Sequence, residues 1–253
     1  VTNQYPHVWP YQISFLEDSP FKDIRVRKAA NLAIDREGMV KLLGGIATPA
    51  KGMITKGHPW FGNPTFDLTY DPEAAKKLLA EAGYGPKNPV KITVIISPAG
   101  SGQMQPLPMN EFVQQNLAEV GIKIDFEVVE WNTLINIWRA GANHESSRKA
   151  TGMNYTYFIQ DPFTGLIRHL QCNLQPPAGT NWGMYCDPEM DKALPADGVG
   201  READNTAAVA AAAADRPRLA EAPAMSRWRA PDGRPGQPVA AAGAWPRRWC
   251  HPG

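Results

Sequence analysis

The residues of this chain best suited to recognising something are aromatic and neutral polar. They crowd into Met153-Asn154-Tyr155-Thr156-Tyr157-Phe158-Ile159-Gln160-Asp161-Pro162. Side chains of these types bind by stacking, apolar contact and neutral hydrogen bonds. On an extended strand Asn154, Thr156 and Phe158 share one face, and Tyr155, Tyr157 and Ile159 share the other, so only one set can line a site. Trp131 and Trp138 are two further large aromatics upstream. The alternative for either is a core aromatic packed between helix and sheet, and for Trp138 that is the favoured reading.

Other chemistries find little support. His58 and His169 are isolated, with no His, Cys or carboxylate at metal-ligand spacing, so they read as surface or core histidines and no metal site is expected. Asp187-Pro188-Glu189-Met190-Asp191 is acidic, but it reads as a helix N-cap with Pro at the first helical position and acids favoured by the helix dipole. Asn154-Tyr155-Thr156 has the pattern of a glycosylation sequon, a chance match if the protein is bacterial. No Gly-rich phosphate loop, Ser-His-Asp order or paired-carboxylate motif is visible, so neither an enzyme nor a cofactor is expected. Cys172 and Cys186 flank a loop containing Pro176-Pro177 and Gly179. They are either a bridge, which would stabilise by about 3 kcal/mol over a loop of this size, or two separate buried thiols.

The elements that would position these residues are legible from Asp71 onward. Asp71-Pro72-Glu73 is an N-cap followed by Pro, and Ala75, Leu78, Leu79 and Ala82 make an apolar stripe ending at Gly83. Lys91 to Ile96 reads as a strand. Asn110 to Val120 is an amphipathic helix with Phe112, Val113, Leu117 and Val120 on one side, closed by Gly121 before a strand from Ile122 to Val129. Asn132 is expected to cap the helix that carries Trp138. Trp9 to Phe15 alternates as a strand through Tyr11, Ile13 and Phe15, and Asp23 to Gly45 supplies a helical layer.

Composition bounds the rest. The chain has 253 residues and a formal net charge of +1, which makes no electrostatic case for nucleic acid or a membrane surface. No apolar run is long enough to span a bilayer. After Asp191-Lys192-Ala193-Leu194 the character changes: residues 195–253 contain no Lys, Ile, Phe or Tyr and are rich in Ala, Pro, Gly and Arg. That segment reads as an irregular tail, produced by a shifted reading frame in a GC-rich gene or natural and flexible. Trp228, Trp245, Trp249 and Cys250 are therefore not counted as site residues.

Several segments in order resemble one family. Pro20-Phe21-Lys22-Asp23-Ile24-Arg25-Val26-Arg27-Lys28-Ala29 with Leu32-Ala33-Ile34-Asp35-Arg36 is similar to the signature of the family 5 extracellular solute-binding proteins. Tyr70-Asp71-Pro72-Glu73-Ala74-Ala75-Lys76-Lys77-Leu78-Leu79 with Ala82-Gly83-Tyr84, then Glu130-Trp131, then Gln160-Asp161-Pro162, continue the match. Residues 9 to 194 are covered. The resemblance implies an α/β fold: a periplasmic-binding-protein-like lobe of type II, peptide-binding class, with a mixed sheet and flanking helices. It places residues 1–194 in the C-terminal lobe of a receptor about twice this length, whose N-terminal lobe is missing from the chain, with 195–253 as the tail.

It also implies roles. The Trp of the "EW" box lines the pocket of peptide-binding relatives, and here it is Trp131; Trp138 is a second candidate. An Asp three residues before the Asp-Pro pair anchors a peptide's α-ammonium in such receptors, and here that position is Phe158. The departure disfavours a free peptide N-terminus at this point, since phenyl leaves a buried cation unpaired. The family geometry turns the set Asn154, Thr156 and Phe158 toward the cleft, with Tyr155 on the alternative face. Some dipeptide receptors of the family carry a Cys pair where Cys172 and Cys186 stand, so the resemblance implies a disulfide in an oxidising periplasm. The implied function is the substrate-binding component of an ABC importer: a monomer capturing a peptide or related small solute by cleft closure and passing it to a membrane permease. The alternative is a truncated, nonfunctional fragment of such a receptor.

Overall fold

A computed structural model gives the fold. It describes residues 7–52, 66–158 and 167–194. The chain forms two units, Val1–Leu219 and Ala220–Gly253, and every described residue lies in the first. The tail and His58 lie outside the described residues.

Local capping chemistry sets many boundaries. Helix α1 (Ile24–Leu32) begins where the Asp23 carboxylate accepts the Arg25 amide, and α2 (Arg36–Leu42) where Asp35 accepts Gly38 N–H. Helix α3 (Pro72–Glu81) starts as expected, with Asp71 accepting Ala74 N–H and Pro72 in the first turn. Its stripe is buried at Ala75 and Leu79. Strand β3 (Val90–Ile96) follows, then α4 (Pro106–Val120) and β4 (Ile122–Val128). Gly121, at φ +97°, lets the chain leave α4 through the left-handed region and enter β4 at once.

Three expectations need correction. Helix α4 starts at Pro106 rather than Asn110: Pro106 and Pro108 fall in the first turn, where a missing N–H costs nothing. The cap of α5 (Trp131–Ala140) is Glu130, whose carboxylate accepts the amides of Asn132 and Thr133; Asn132 already lies inside the helix. The strand expected over Trp9 to Phe15 is shortened to β2 (Tyr11–Ile13), with a separate β1 (His7–Val8) before it, and the segment from Met153 is divided into β5 (Gly152–Asn154) and β6 (Tyr157–Phe158). β1 pairs antiparallel with β6, His7 opposite Phe158, and β2 with β5, Tyr11 opposite Asn154. The register is the same on both sides of the gap, so the interruption is a local loss of pairing opposite Pro10, which has no N–H to donate.

The main sheet is mixed, in the order β2-β5-β3-β4, with β3 parallel to both β4 and β5 and β2 antiparallel. Each face is covered. Val90, Ile92, Val94 and Ile96 of β3 pack with Val113 and Leu117 of α4, Val26 and Ala29 of α1, and Leu79 of α3. On the opposite face Ile95 and Met153 pack with Leu134, Ile137 and Trp138 of α5 and with Trp182. Burial on both sides explains why β3 reads as a nearly continuous apolar run. Among the described residues no helix is long and apolar enough to cross a membrane.

The end of the described chain is stapled. Short helices α6 (Arg168–Leu170) and α7 (Pro188–Ala193) flank a loop closed by a Cys172–Cys186 disulfide. Asp187 caps α7 by accepting Glu189 N–H, as the sequence suggests.

Candidate ligand-binding site

The parallel strands β3, β4 and β5 all point their carboxyl ends to one edge of the sheet, the edge at which ligands meet open α/β sheets. The loop after β3 contains Gly100, α5 begins at Trp131 after β4, and Tyr155 follows β5 directly. Topology thus gathers three segments distant in sequence.

Their side chains meet there. Tyr155 stacks on Trp131 with ring centroids 5.7 Å apart and planes 10° apart, and on Trp138 at 4.5 Å and 18°. Both tryptophans come from α5, two turns apart, so the helix presents them to the same tyrosine. Trp131 is half-buried, whereas Trp138 is 5% exposed and donates its indole N–H to Gln12 Oε1 at 3.2 Å. Gln12 Nε2 lies 3.4 Å from His169 Nδ1, and the Arg168 guanidinium sits 4.9 Å from the Trp138 ring centre. Gly100, at φ +149°, lies against Trp131: a Cβ there would be 2.3 Å from Trp131 Cε3.

The β3–α4 loop is held from several sides. Thr156 Oγ1 donates to Ser101 O at 2.6 Å, and Trp9 Nε1 donates to Gln103 Oε1 at 2.9 Å. Asn154 is fully buried; its Nδ2 donates to Pro10 O at 3.0 Å, and its Oδ1 is 3.4 Å from Asn110 Nδ2. Asn110 also accepts the Tyr11 hydroxyl, whose ionisation burial pushes up. Asn154 and Thr156 therefore spend their side chains on α4, the Pro10 carbonyl and the β3–α4 loop, while Tyr155 alternates onto the α5 face. Phe158 lies in β6 opposite His7. Gln160, Asp161 and Pro162 lie outside the described residues. Among the described residues no group of His, Cys, Asp and Glu is placed to hold a metal ion.

Two participants were not marked by the sequence. Gln12 is one polar residue on a short strand, and Arg168 stands alone in Leu166-Ile167-Arg168-His169-Leu170. A lone cation inside an apolar stretch was the available signal.

Comparison with known proteins decides the family. The bacterial extracellular solute-binding proteins, family 5 Middle, match residues 2–167. The chain belongs to this family. Its relatives among family 5 proteins include di/tripeptide-binding protein 2 of Pseudomonas aeruginosa, 29% identical over 176 residues, covering 69% of this chain and 32% of that protein. Glutathione-binding protein GsiB of Pectobacterium atrosepticum is 31% identical over 188 residues, covering 69% and 33%. The chain thus spans about a third of the length of these relatives. Among solved structures, the ABC transporter-associated periplasmic binding protein DppA from Helicobacter pylori, in complex with peptide STSA, superposes with a TM-score of 0.65 at 22% identity, covering 81% of this chain and 38% of that one. The periplasmic-binding-protein-like α/β lobe read from the sequence is therefore the fold observed.

Proposed function

We propose that this chain is part of the substrate-binding component of an ABC importer, which captures a peptide or related small solute in the periplasm and delivers it to a membrane permease without altering it. Residues 1–194 form the lobe and 195–253 the tail. The observation that carries the reading is the half-buried Trp131 stacked on Tyr155 at the carboxyl edge of a family 5 sheet. Trp131 and Tyr155 form the ligand-facing wall. Trp138 backs it, and Asn154 and Thr156 fix the strand and loop that shape it. Phe158, at the position of the ammonium-anchoring Asp, disfavours recognition through a free peptide N-terminus. The named relatives bind di/tripeptides and glutathione, which sets the first ligands to try.

The full-length gene product, purified as a monomer, is mixed with dialanine, trialanine and glutathione, and its melting temperature is followed. A ligand that binds only the folded state stabilises it by RT ln(1 + [L]/Kd), about 2.7 kcal/mol at a hundredfold excess over Kd. A concentration-dependent rise is expected. No rise with any of the three contradicts the reading.

A further inference from the structure

The aromatic wall ends in a cation. Arg168 lays its guanidinium over Trp138, which stacks on Tyr155, which stacks on Trp131. A guanidinium stacked on a ring uses its face and leaves the N–H donors at its edge for a planar acceptor. Arg168 is half-buried, and its Nε–H is buried and meets no acceptor. No carboxylate among the described residues pairs with it. Asp191 of α7 accepts from the Cys172 amide, at 3.1 and 3.4 Å from its two oxygens. The polar side chains beside the stack, Gln12 and His169, bring no negative charge.

We propose that Arg168 is a ligand-binding residue that receives a carboxylate of the solute at the end of the Trp131–Tyr155–Trp138 wall. This rests on the solute-binding reading above and sharpens it: the sequence has Phe158 at the family's ammonium-anchoring position, and Arg168 supplies a fork of N–H donors for an anion. The ligand class is a small carboxylate-bearing solute with an apolar or planar body, held through its acidic end. A bidentate arginine–carboxylate pair in a site closed to water is directional, so lysine at this position keeps the charge and loses the fork.

The test uses isothermal titration of the full-length protein with dialanine, trialanine and glutathione, each with its carboxylates free or fully amidated. Free acids should bind the wild type roughly 10- to 100-fold more tightly than the amides, the range expected for hydrogen bonds to a charged group. Arg168→Gln should bring the acids down to the level of the amides and leave the amides unchanged, with Arg168→Lys in between. Equal affinity of acid and amide for the wild type overturns the inference. So does an Arg168→Gln loss of equal size for both forms, which marks a structural role. Should Arg168→Gln not fold, the wild-type acid-to-amide ratio and Arg168→Lys decide the matter. If no member of the series binds the wild type, it is the solute-binding reading itself that fails, and this inference falls with it.

Discussion

Tyr155 lies almost flat on Trp138, with centroids 4.5 Å apart and planes 18° apart, although the two residues belong to different elements and one of them is nearly inaccessible to solvent. The pair packs with Trp131 in one cluster on the α5 face of the sheet, buried at Trp138 and partly open at Tyr155 and Trp131. Trp138 anchors, and Tyr155 carries the surface outward to Trp131.

This division predicts opposite consequences for the two tryptophans. Trp131→Ala should lower ligand affinity by about 1–3 kcal/mol with less loss of stability than Trp138→Ala, because Trp131 is only partly buried. Trp138→Ala should cost about 3–5 kcal/mol of stability, since it leaves a cavity beside Tyr155 and takes the indole donor from Gln12 Oε1. Calorimetric titration and denaturant unfolding of both variants separate the two effects.

Gly100 should act through Trp131. Its φ of +149° already disfavours a side chain, and an added Cβ would collide with the Trp131 ring. Gly100→Ala should weaken binding by an amount comparable to Trp131→Ala, and the double variant should be no worse than either single one. Additive losses would show that the two positions act independently.

The Cys172–Cys186 bridge should appear as one linked peptide in non-reducing mass mapping. Replacing both cysteines by serine should cost about 3 kcal/mol, from the entropy of the loop they close. Recovery of both as free thiols from protein made in an oxidising compartment would rule the bridge out.

Asp23 offers a pH test. The Arg25 side chain bonded to its carboxylate holds it below its ordinary value of 3.8, and the same carboxylate caps α1. With the folded-state value depressed, this contribution is complete above pH 3.8 and fades as pH falls through the folded value. Asp23→Ala should therefore cost about 1 kcal/mol at pH 7, the usual worth of an N-cap, and progressively less below pH 3.8. Urea unfolding of both proteins across that range measures it, and a pH-independent difference would refute the assignment.

Much of the frame was legible because its signals are local. Asp71, Gly121 and Asp187 each mark a helix end by what a single side chain or φ angle can do. The misplaced boundaries have two kinds of cause, local chemistry at Pro106 and Glu130 and a distant pairing at Pro10. The gap between the β1–β6 and β2–β5 ladders falls at Pro10, more than 140 residues from the strand opposite, whereas α5 is capped by Glu130, whose carboxylate accepts the amides of Asn132 and Thr133. The site was legible in its members more than in its arrangement. Trp131 and Tyr155 could be picked out by type, but their stacking depends on the adjacency of β4, β3 and β5. Arg168 gave no periodic or spacing signal, since its partner Trp138 lies thirty residues upstream across the α5 face.

The most direct test of the central claim is equilibrium titration of the full-length protein with trialanine and glutathione, followed by mass analysis of the recovered ligand. Saturable one-to-one binding, weakened in Trp131→Ala, with the ligand returned intact, is the predicted result. Binding by neither solute, or recovery of a chemically altered one, would contradict the account.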